Sequence, residues 1–237
     1  MKSMRLAAEQ ETITCVESEI YDRLLSLDNR HILELGCGNA VITRDIATCG
    51  VNRNITALEV DEIAHQKNLQ ITDLPNVQFV LAGAQDIPLP EASVDVVFMF
   101  KSLHHVAQEM LEPALHEIKR VLKPGGYAYI SEPVYGGDFY ELLSLFHDEQ
   151  EVQRVAFNTL KKVVDAGTFR LVEEVFFNAP RTIKNFSEFE NNTINASFNN
   201  FKLNEELYNR VKQRFEEYMG EDGAHFLAPM RVDLLQK

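Results

Sequence analysis

His31-Ile32-Leu33-Glu34-Leu35-Gly36-Cys37-Gly38-Asn39-Ala40 is the stretch that decides how this chain folds. It reads as a short buried strand ending on an acid, then a tight Gly-x-Gly turn, then the start of a helix. Such a turn gathers backbone N–H groups and a carboxylate around a nucleoside-type ligand at the carboxyl end of a strand. A second acid, Glu59, follows a second apolar strand, Ile55-Thr56-Ala57-Leu58, about twenty residues further on. The pair points to a nucleoside-binding α/β domain.

The rest of the chain supports that frame. The helix after the turn carries Val41, Ile42, Ile46 and Ala47 and stops near Gly50. A helix at 62–70 precedes a strand at 77–81 and the loop Ala82-Gly83-Ala84-Gln85-Asp86. The strand at 93–100 is nearly all apolar, as a strand buried on both faces is. Leu111, Leu115, Ile118, Val121 and Leu122 mark a helix, Lys123-Pro124-Gly125-Gly126 a turn, and 127–132 a fifth strand. Residues 139–165 read as helical, and 169–177 and 226–235 as the last two strands. Strands alternating with helices predict an α/β fold: a doubly wound, seven-stranded, mostly parallel, Rossmann-like sheet whose last strand is antiparallel. One domain, 1–237, is expected. Ile13, Val16, Ile20, Leu24 and Leu27 make an apolar stripe that predicts an opening helix over 6–28, covering the site. Residues 184–223, rich in Asn and Phe, read as an insertion or lid between the last two strands.

Composition excludes some classes. Hydrophobic content of 45% and charged content of 25% are those of an ordinary globular protein. A net charge of −13 with only short basic groups makes nucleic acid a poor substrate. No apolar run approaches the roughly 18 residues of a membrane span, and Met1-Lys2-Ser3-Met4-Arg5 does not open an apolar leader. The three cysteines, Cys15, Cys37 and Cys49, lack metal-ligand spacing. A cytoplasmic protein without a metal is the expectation.

Four motifs in order, Glu34-Leu35-Gly36-Cys37-Gly38, Glu59, Asp95-Val96-Val97 leading to Leu103-His104-His105, and Lys123-Pro124-Gly125-Gly126, resemble the class I S-adenosylmethionine (SAM)-dependent methyltransferases. The similarity is to the small-molecule group typified by ubiquinone and menaquinone biosynthesis, and it covers roughly residues 30–135, so it speaks to cofactor rather than substrate. It implies SAM as cofactor and S-adenosylhomocysteine as product. Gly36, Cys37 and Gly38 would let the backbone approach the methionine end, with Glu34 near the amino group. Glu59 would accept the ribose hydroxyls, Val60 would pack on the adenine, and Ala84 and Gln85 would meet the adenine edge. Phe100, Lys101 and Ser102 would line the methionine arm, and the helix start near Ala40 would face the cofactor carboxylate. Two positions depart from the family. Ala40 stands where Gly is common, which is tolerated if its φ is negative. Gly83 stands where Asp is common, with Gln85 or Asp86 as possible substitutes.

Methyl transfer from a sulfonium needs placement of the nucleophile and exclusion of water, and a base only if the nucleophile must lose a proton. His104 and His105 are the candidates for that base; the alternative is that they pack at the start of the following helix. Glu132 is a further wall residue. Tyr21 is a lid or a core residue. Phe186, Phe189, Phe198 and Phe201 either line an apolar pocket or anchor the insertion. The expected activity is methyl transfer to O, N or C of a small molecule by in-line displacement. The rivals are a tRNA or protein methyltransferase acting with a partner subunit and a non-catalytic SAM sensor. A nicotinamide dehydrogenase lacks support, since the third glycine of Gly-x-Gly-x-x-Gly is absent. Substrate, pathway and oligomeric state do not follow from the sequence.

Overall fold

Runs of β-branched and aromatic residues form the strands, and the Gly, Pro and Asp clusters between them form the turns. The computed structural model describes residues 4–9, 12–195 and 201–237. Its elements are β1 (Ile13–Thr14), α1 (Glu17–Leu24), β2 (His31–Leu35), α2 (Val41–Thr48), β3 (Asn54–Glu59), α3 (Glu62–Asn68), β4 (Val77–Leu81), β5 (Val94–Phe100), α4 (Leu111–Val121), β6 (Leu122–Pro133), α5 (Gly137–Leu143), α6 (Gln150–Asp165), β7 (Arg170–Ile183), α7 (Phe186–Phe189), α8 (Glu205–Glu216) and β8 (Ala224–Gln236). Single 3₁₀ turns at Leu103–His105 and Gln108–Met110 precede α4, and a π-turn at Glu190–Ile194 follows α7.

The strands make one sheet in the order β1-β7-β8-β6-β5-β2-β3-β4. Strands β2 to β6 pair in parallel, and β8 runs antiparallel between β6 and β7. The seven expected strands are thus β2 to β8, with the last antiparallel; β1 is a short additional edge strand. The chain leaves β2 towards β3 and β4, then returns to place β5 on the other side of β2. This is a topological switch point, and it opens at the carboxyl ends of β2 and β5.

Alternation along β5 divides the core. Val96, Phe98 and Phe100 face Ile20 and Tyr21 of α1, Ile46 of α2 and Tyr129 of β6. Val97 and Met99 face Leu115 and Ile118 of α4 and Leu160 of α6. A third, smaller cluster joins the tip of the β7–β8 hairpin to the segment beyond it: Phe189 and Ile194 with Val211 and Phe215 of α8, Phe139 and Leu142 of α5, and Phe226. The aromatic rings at 186 and 189 serve this cluster, while Phe201 packs against Phe146 at 5.2 Å. Phe198 lies outside the described residues.

The opening segment differs from its expectation. The helix is confined to Glu17–Leu24, and Ile13–Thr14 pairs instead with Phe177 and Asn178 of β7. The apolar spacing that suggested one long helix combines residues from two elements: Ile13 and Val16 are 60% and 47% exposed, whereas Ile20 and Leu27 are buried. The β-branched Ile13-Thr14 pair finds an unsatisfied sheet edge, a tertiary partner that local periodicity does not report. Tyr21 is a core residue, 5.8 Å from the Phe98 ring, and not a lid. No helix among the described residues is long and apolar enough to cross a membrane.

At the amino edge of the sheet Asp95 ties three strands together. Its Oδ2 accepts hydrogen bonds from the His31 amide at 2.9 Å and from Lys123 Nζ at 2.8 Å, and Arg30 lies 3.5 Å from Oδ1. Burial pushes this carboxyl up, but Lys123, the His31 amide and Arg30 outweigh it and hold the group below the ordinary aspartate range. The stabilisation is therefore present above the unfolded aspartate value of about 4 and is lost as the pH falls through the lower native one. Asp95→Ala is expected to lower unfolding free energy by about 1–3 kcal/mol in urea titrations at neutral pH. Its deficit relative to the wild type should shrink below about pH 4; a deficit that is constant with pH contradicts the assignment.

Candidate functional site

Two chain segments leave the sheet side by side at the switch point, and they fit only because one lacks a side chain. Gly36 follows β2 at φ +74°, and a Cβ there would stand 2.7 Å from Cβ of Ser102, which follows β5. Ser102 Oγ in turn donates to the Leu35 carbonyl at 2.8 Å. The Gly36 and Cys37 amides donate to the Leu58 carbonyl of β3 at 2.9 and 3.0 Å. Gly38, at φ +54°, has no atom within 4 Å of where its Cβ would be, so the turn presents bare backbone to open space. The turn is followed by α2, whose N-terminus has no side-chain cap.

Acids flank this cradle. Glu34 is 2% exposed and its Oε2 accepts from Thr43 Oγ1 of α2 at 2.7 Å. Burial raises its pKa to about 7, against the opposing pull of the Thr43 bond and Lys101. Glu59 closes β3. Its Oε2 accepts from the Gly38 amide at 2.6 Å, and its Oε1 from the Val60 and Asp61 amides at 2.8 and 2.9 Å. Three of its roughly four acceptor positions are thus occupied by backbone, and a ribose hydroxyl must use the remainder or displace one. Val60 beside it is 66% exposed, an apolar face beside the acid. Cys37 is buried against Asn68, and burial pushes its thiol well above the ordinary range.

Ala84 is buried, whereas Gln85 is exposed and folds its amide back over Gly83, within 2.4 Å of where a Cβ on Gly83 would stand. The space left by the missing aspartate is occupied by Gln85 rather than Asp86. Ala40 corrects an expectation. Its φ is +57°, so its methyl group sits in the left-handed region and costs roughly 1–2 kcal/mol. Phe100 is also placed differently: its ring stacks on Phe98 at 5.0 Å inside the core, so it supports the carboxyl edge from below rather than lining it.

Lys101 sits at φ +54°, where its amide donates a hydrogen bond to the Ser131 carbonyl at 2.7 Å. Non-glycine residues in this region are uncommon and concentrate where a side chain must be aimed. Its side chain is accessible yet walled by protein; burial lowers its pKa, partly offset by Glu17 and reinforced by Arg181. Glu17 of α1 accepts from Tyr129 Oη at 2.6 Å and Ser131 Oγ at 3.0 Å. Burial raises the Glu17 carboxyl despite both bonds. Arg181 of β7 lies 4.3 Å above the Phe139 ring.

The two histidines are brought together and then differentiated. Glu132, at the end of β6, accepts from the Leu103 amide at 3.0 Å, the His104 amide at 3.3 Å and His104 Nδ1 at 2.5 Å, so one carboxylate fixes the whole 3₁₀ turn. His104 Nε2 lies 3.7 Å from Glu149 Oε1. Burial would lower the His104 pKa, but Glu132 and Glu149 outweigh it and raise it to about 10. His105 is pushed the other way, by burial first and then by its charged neighbour. Its side chain is 57% exposed, with Nε2 4.0 Å from the same Glu149 oxygen. His147 Nε2 meets that oxygen at 2.8 Å. Burial raises Glu149, but the histidines overcome this and bring it to about 2.

Sequence reasoning missed Glu149, His147, Glu17, Thr43 and Arg181. Only the acid-histidine spacing in His147-Asp148-Glu149 carried a signal, and helical periodicity absorbed it. Among the sequence candidates, Glu34, Gly36, Gly38, Glu59 and Val60 meet at one edge with Lys101. His104 and His105 stand at the same edge of the sheet, beyond Glu132.

The profile of a family described as a methyltransferase domain matches residues 33–130, which takes in the Gly turn, Glu59, Lys101 and both histidines. O-methyltransferase rstn1 of Aspergillus nomiae is 31% identical over 162 residues, covering 65% of this chain and 71% of that protein. An O-methyltransferase of Pyrenophora dematioidea is 27% identical over 179 residues, covering 73% of this chain and 64% of its own length. The solved YcgJ protein of Bacillus subtilis shares the fold over 93% of this chain and 97% of its own, with a TM-score of 0.60 at 12% identity. The cradle at the switch point and the relatives in sequence agree, and the chain belongs to the class I S-adenosylmethionine-dependent methyltransferases.

Proposed function

We propose that this protein methylates an oxygen atom of a small molecule, with SAM held on the Gly36–Gly38 turn. The observation that carries the reading is the bare backbone at Gly38 between two acids, Glu34 and Glu59. The residues present fit the cofactor. Gly38 leaves room for close approach, the buried Glu34 carboxylate suits an ammonium group, and the exposed Val60 offers an apolar face to adenine. The capless N-terminus of α2 suits a carboxylate. Gln85, folded over Gly83, stands where the family's adenine-loop aspartate would be and supports the same reading.

When bound, the cofactor supplies a methyl group already activated on a sulfonium. The chain's own work is orientation, exclusion of water and handling of a proton. His104 is poorly suited as a base, because two carboxylates keep it protonated. His105 stays neutral, is accessible, and faces Glu149; it is the better acceptor for a hydroxyl proton. Oxygen as the acceptor atom is supported by the two relatives named as O-methyltransferases. The charge of −13 disfavours an RNA substrate.

Titration calorimetry of the purified chain with SAM and S-adenosylhomocysteine, with NAD as control, tests the cofactor. Micromolar affinity for both sulfur nucleosides, weakened at least tenfold in Glu59→Ala, is the expected outcome, about 1.4 kcal/mol or more. Absence of binding for both ligands overturns the reading. Glu34 adds a pH dependence. Its raised pKa means that the native state loses stability as pH rises from the ordinary glutamate range through about 7. An ammonium beside it favours the ionised form, so SAM affinity should increase between about pH 5.5 and about pH 7.5, below the ammonium's own titration near 8. In Glu34→Gln that slope should vanish; a wild-type slope of the opposite sign would sink the assignment.

A further inference from the structure

Beyond the cofactor cradle, three imidazoles from two segments converge on one carboxylate oxygen. Glu149 Oε1 lies 3.7 Å from His104 Nε2, 4.0 Å from His105 Nε2 and 2.8 Å from His147 Nε2. The donor atoms of His104, His105 and Glu149 all lie within 4.8 Å of one another. We propose that His104 Nε2, His105 Nε2 and the Glu149 carboxylate bind one divalent transition-metal ion of the zinc class, with a coordination position left open.

The supports around these donors are those of a metal centre. The Nδ1 of His104 is engaged by Glu132 at 2.5 Å, which leaves Nε2 aimed at the cluster. A carboxylate behind a ligating histidine fixes its orientation and raises its basicity. Glu132 is itself held by two backbone amides, so the arrangement is preorganised. On the other side, the loop bearing Glu149 is fixed by Tyr140 Oη to Asp148 Oδ1 at 2.5 Å and by the Gln150 amide to the same oxygen at 2.9 Å. His147 braces the Glu149 carboxylate directly. Two carboxylates, with side chains 4% and 16% exposed, face the single His104 ring; binding of the ion releases the His104 Nε2 proton to solvent, and the divalent charge then balances both carboxylates.

The donor set selects the ion. Two imidazoles and one carboxylate suit zinc and the neighbouring first-row ions, whereas calcium and magnesium prefer all-oxygen sites. A tetrahedral ion with bonds near 2.0–2.1 Å needs donors roughly 3.3 Å apart. The separations must therefore contract by about 0.5–1.5 Å, and the His105 side chain, 57% exposed, is free to swing inwards. The open position would take a water molecule or a substrate hydroxyl. Bound there, a hydroxyl gives up its proton to solvent more readily than it does free in water. In that state the ion takes over the task assigned above to His105. The metal site rests on its own donors and not on the methyl-transfer reading.

Tag-free protein, stripped with chelator and titrated with cobalt(II), tests the site by visible absorption, with zinc displacement and elemental analysis for stoichiometry. One ion per chain and the intense bands of four- or five-coordinate cobalt are expected. His105→Ala and Glu149→Gln should abolish the bands, and Glu132→Gln should weaken affinity about 10–100-fold. His225→Ala, which alters a surface histidine paired with Asp222, should change nothing. Absence of the bands in the wild type, or their persistence in both ligand variants, overturns the proposal. S-adenosylhomocysteine titration of the same preparations reports separately on the cofactor cradle, so loss of one site is not mistaken for loss of the other.

Discussion

The contact of Gly36 with Ser102 is the constraint on which the site depends. Strands β2 and β5 are neighbours, and both chains must leave the sheet at the same edge. With a Cβ at Gly36 only 2.7 Å from Ser102, any other residue there would force the two exits apart. The Ser102 bond to the Leu35 carbonyl then locks them together. Everything chemical is positioned relative to this closure. The Gly38 backbone and Glu59 lie on one side of it, and Lys101 and the His104–His105 turn on the other.

A second theme is the use of buried and half-buried carboxylates as structural anchors. Glu132 binds two amides and an imidazole, Glu59 binds three amides, and Glu17 binds two hydroxyls. Each is desolvated, and each is compensated by several donors rather than by one ion pair. This is the condition under which a buried charge is tolerable. It also concentrates negative charge at the carboxyl edge of the sheet. Lys101, aimed by a left-handed backbone, and the protonated His104 face that charge, while Arg181 lies on the Phe139 ring beside them.

The small cluster beyond the β7–β8 hairpin has a different logic. Phenylalanines in a polar, asparagine-rich segment suggest a ligand pocket or an anchor. Phe189 and Phe215 are almost fully buried against each other and against Phe226. Their apolar area is removed from water by packing on the hairpin tip, which gives the segment between the last two strands a core of its own.

The sequence alone determined the strand–turn–helix units, the parallel sheet and the glycine turn flanked by Glu34 and Glu59, because these are local. An apolar run, an acid at its end and glycines at fixed offsets dictate backbone geometry within ten residues. It did not determine the opening segment, where Ile13 and Thr14 take up a distant strand edge against their helical spacing. Nor did it give the sign of φ at Ala40, which is imposed by the turn on both sides of it. Tertiary structure alone decided the fates of the two histidines. Adjacent in sequence and identical in chemistry, they part because Glu132, twenty-seven or more residues away, engages only His104. Glu149 reaches the cluster from the start of α6, across a chain separation that no local pattern encodes. Long-range electrostatics of this kind exists only after the sheet has closed.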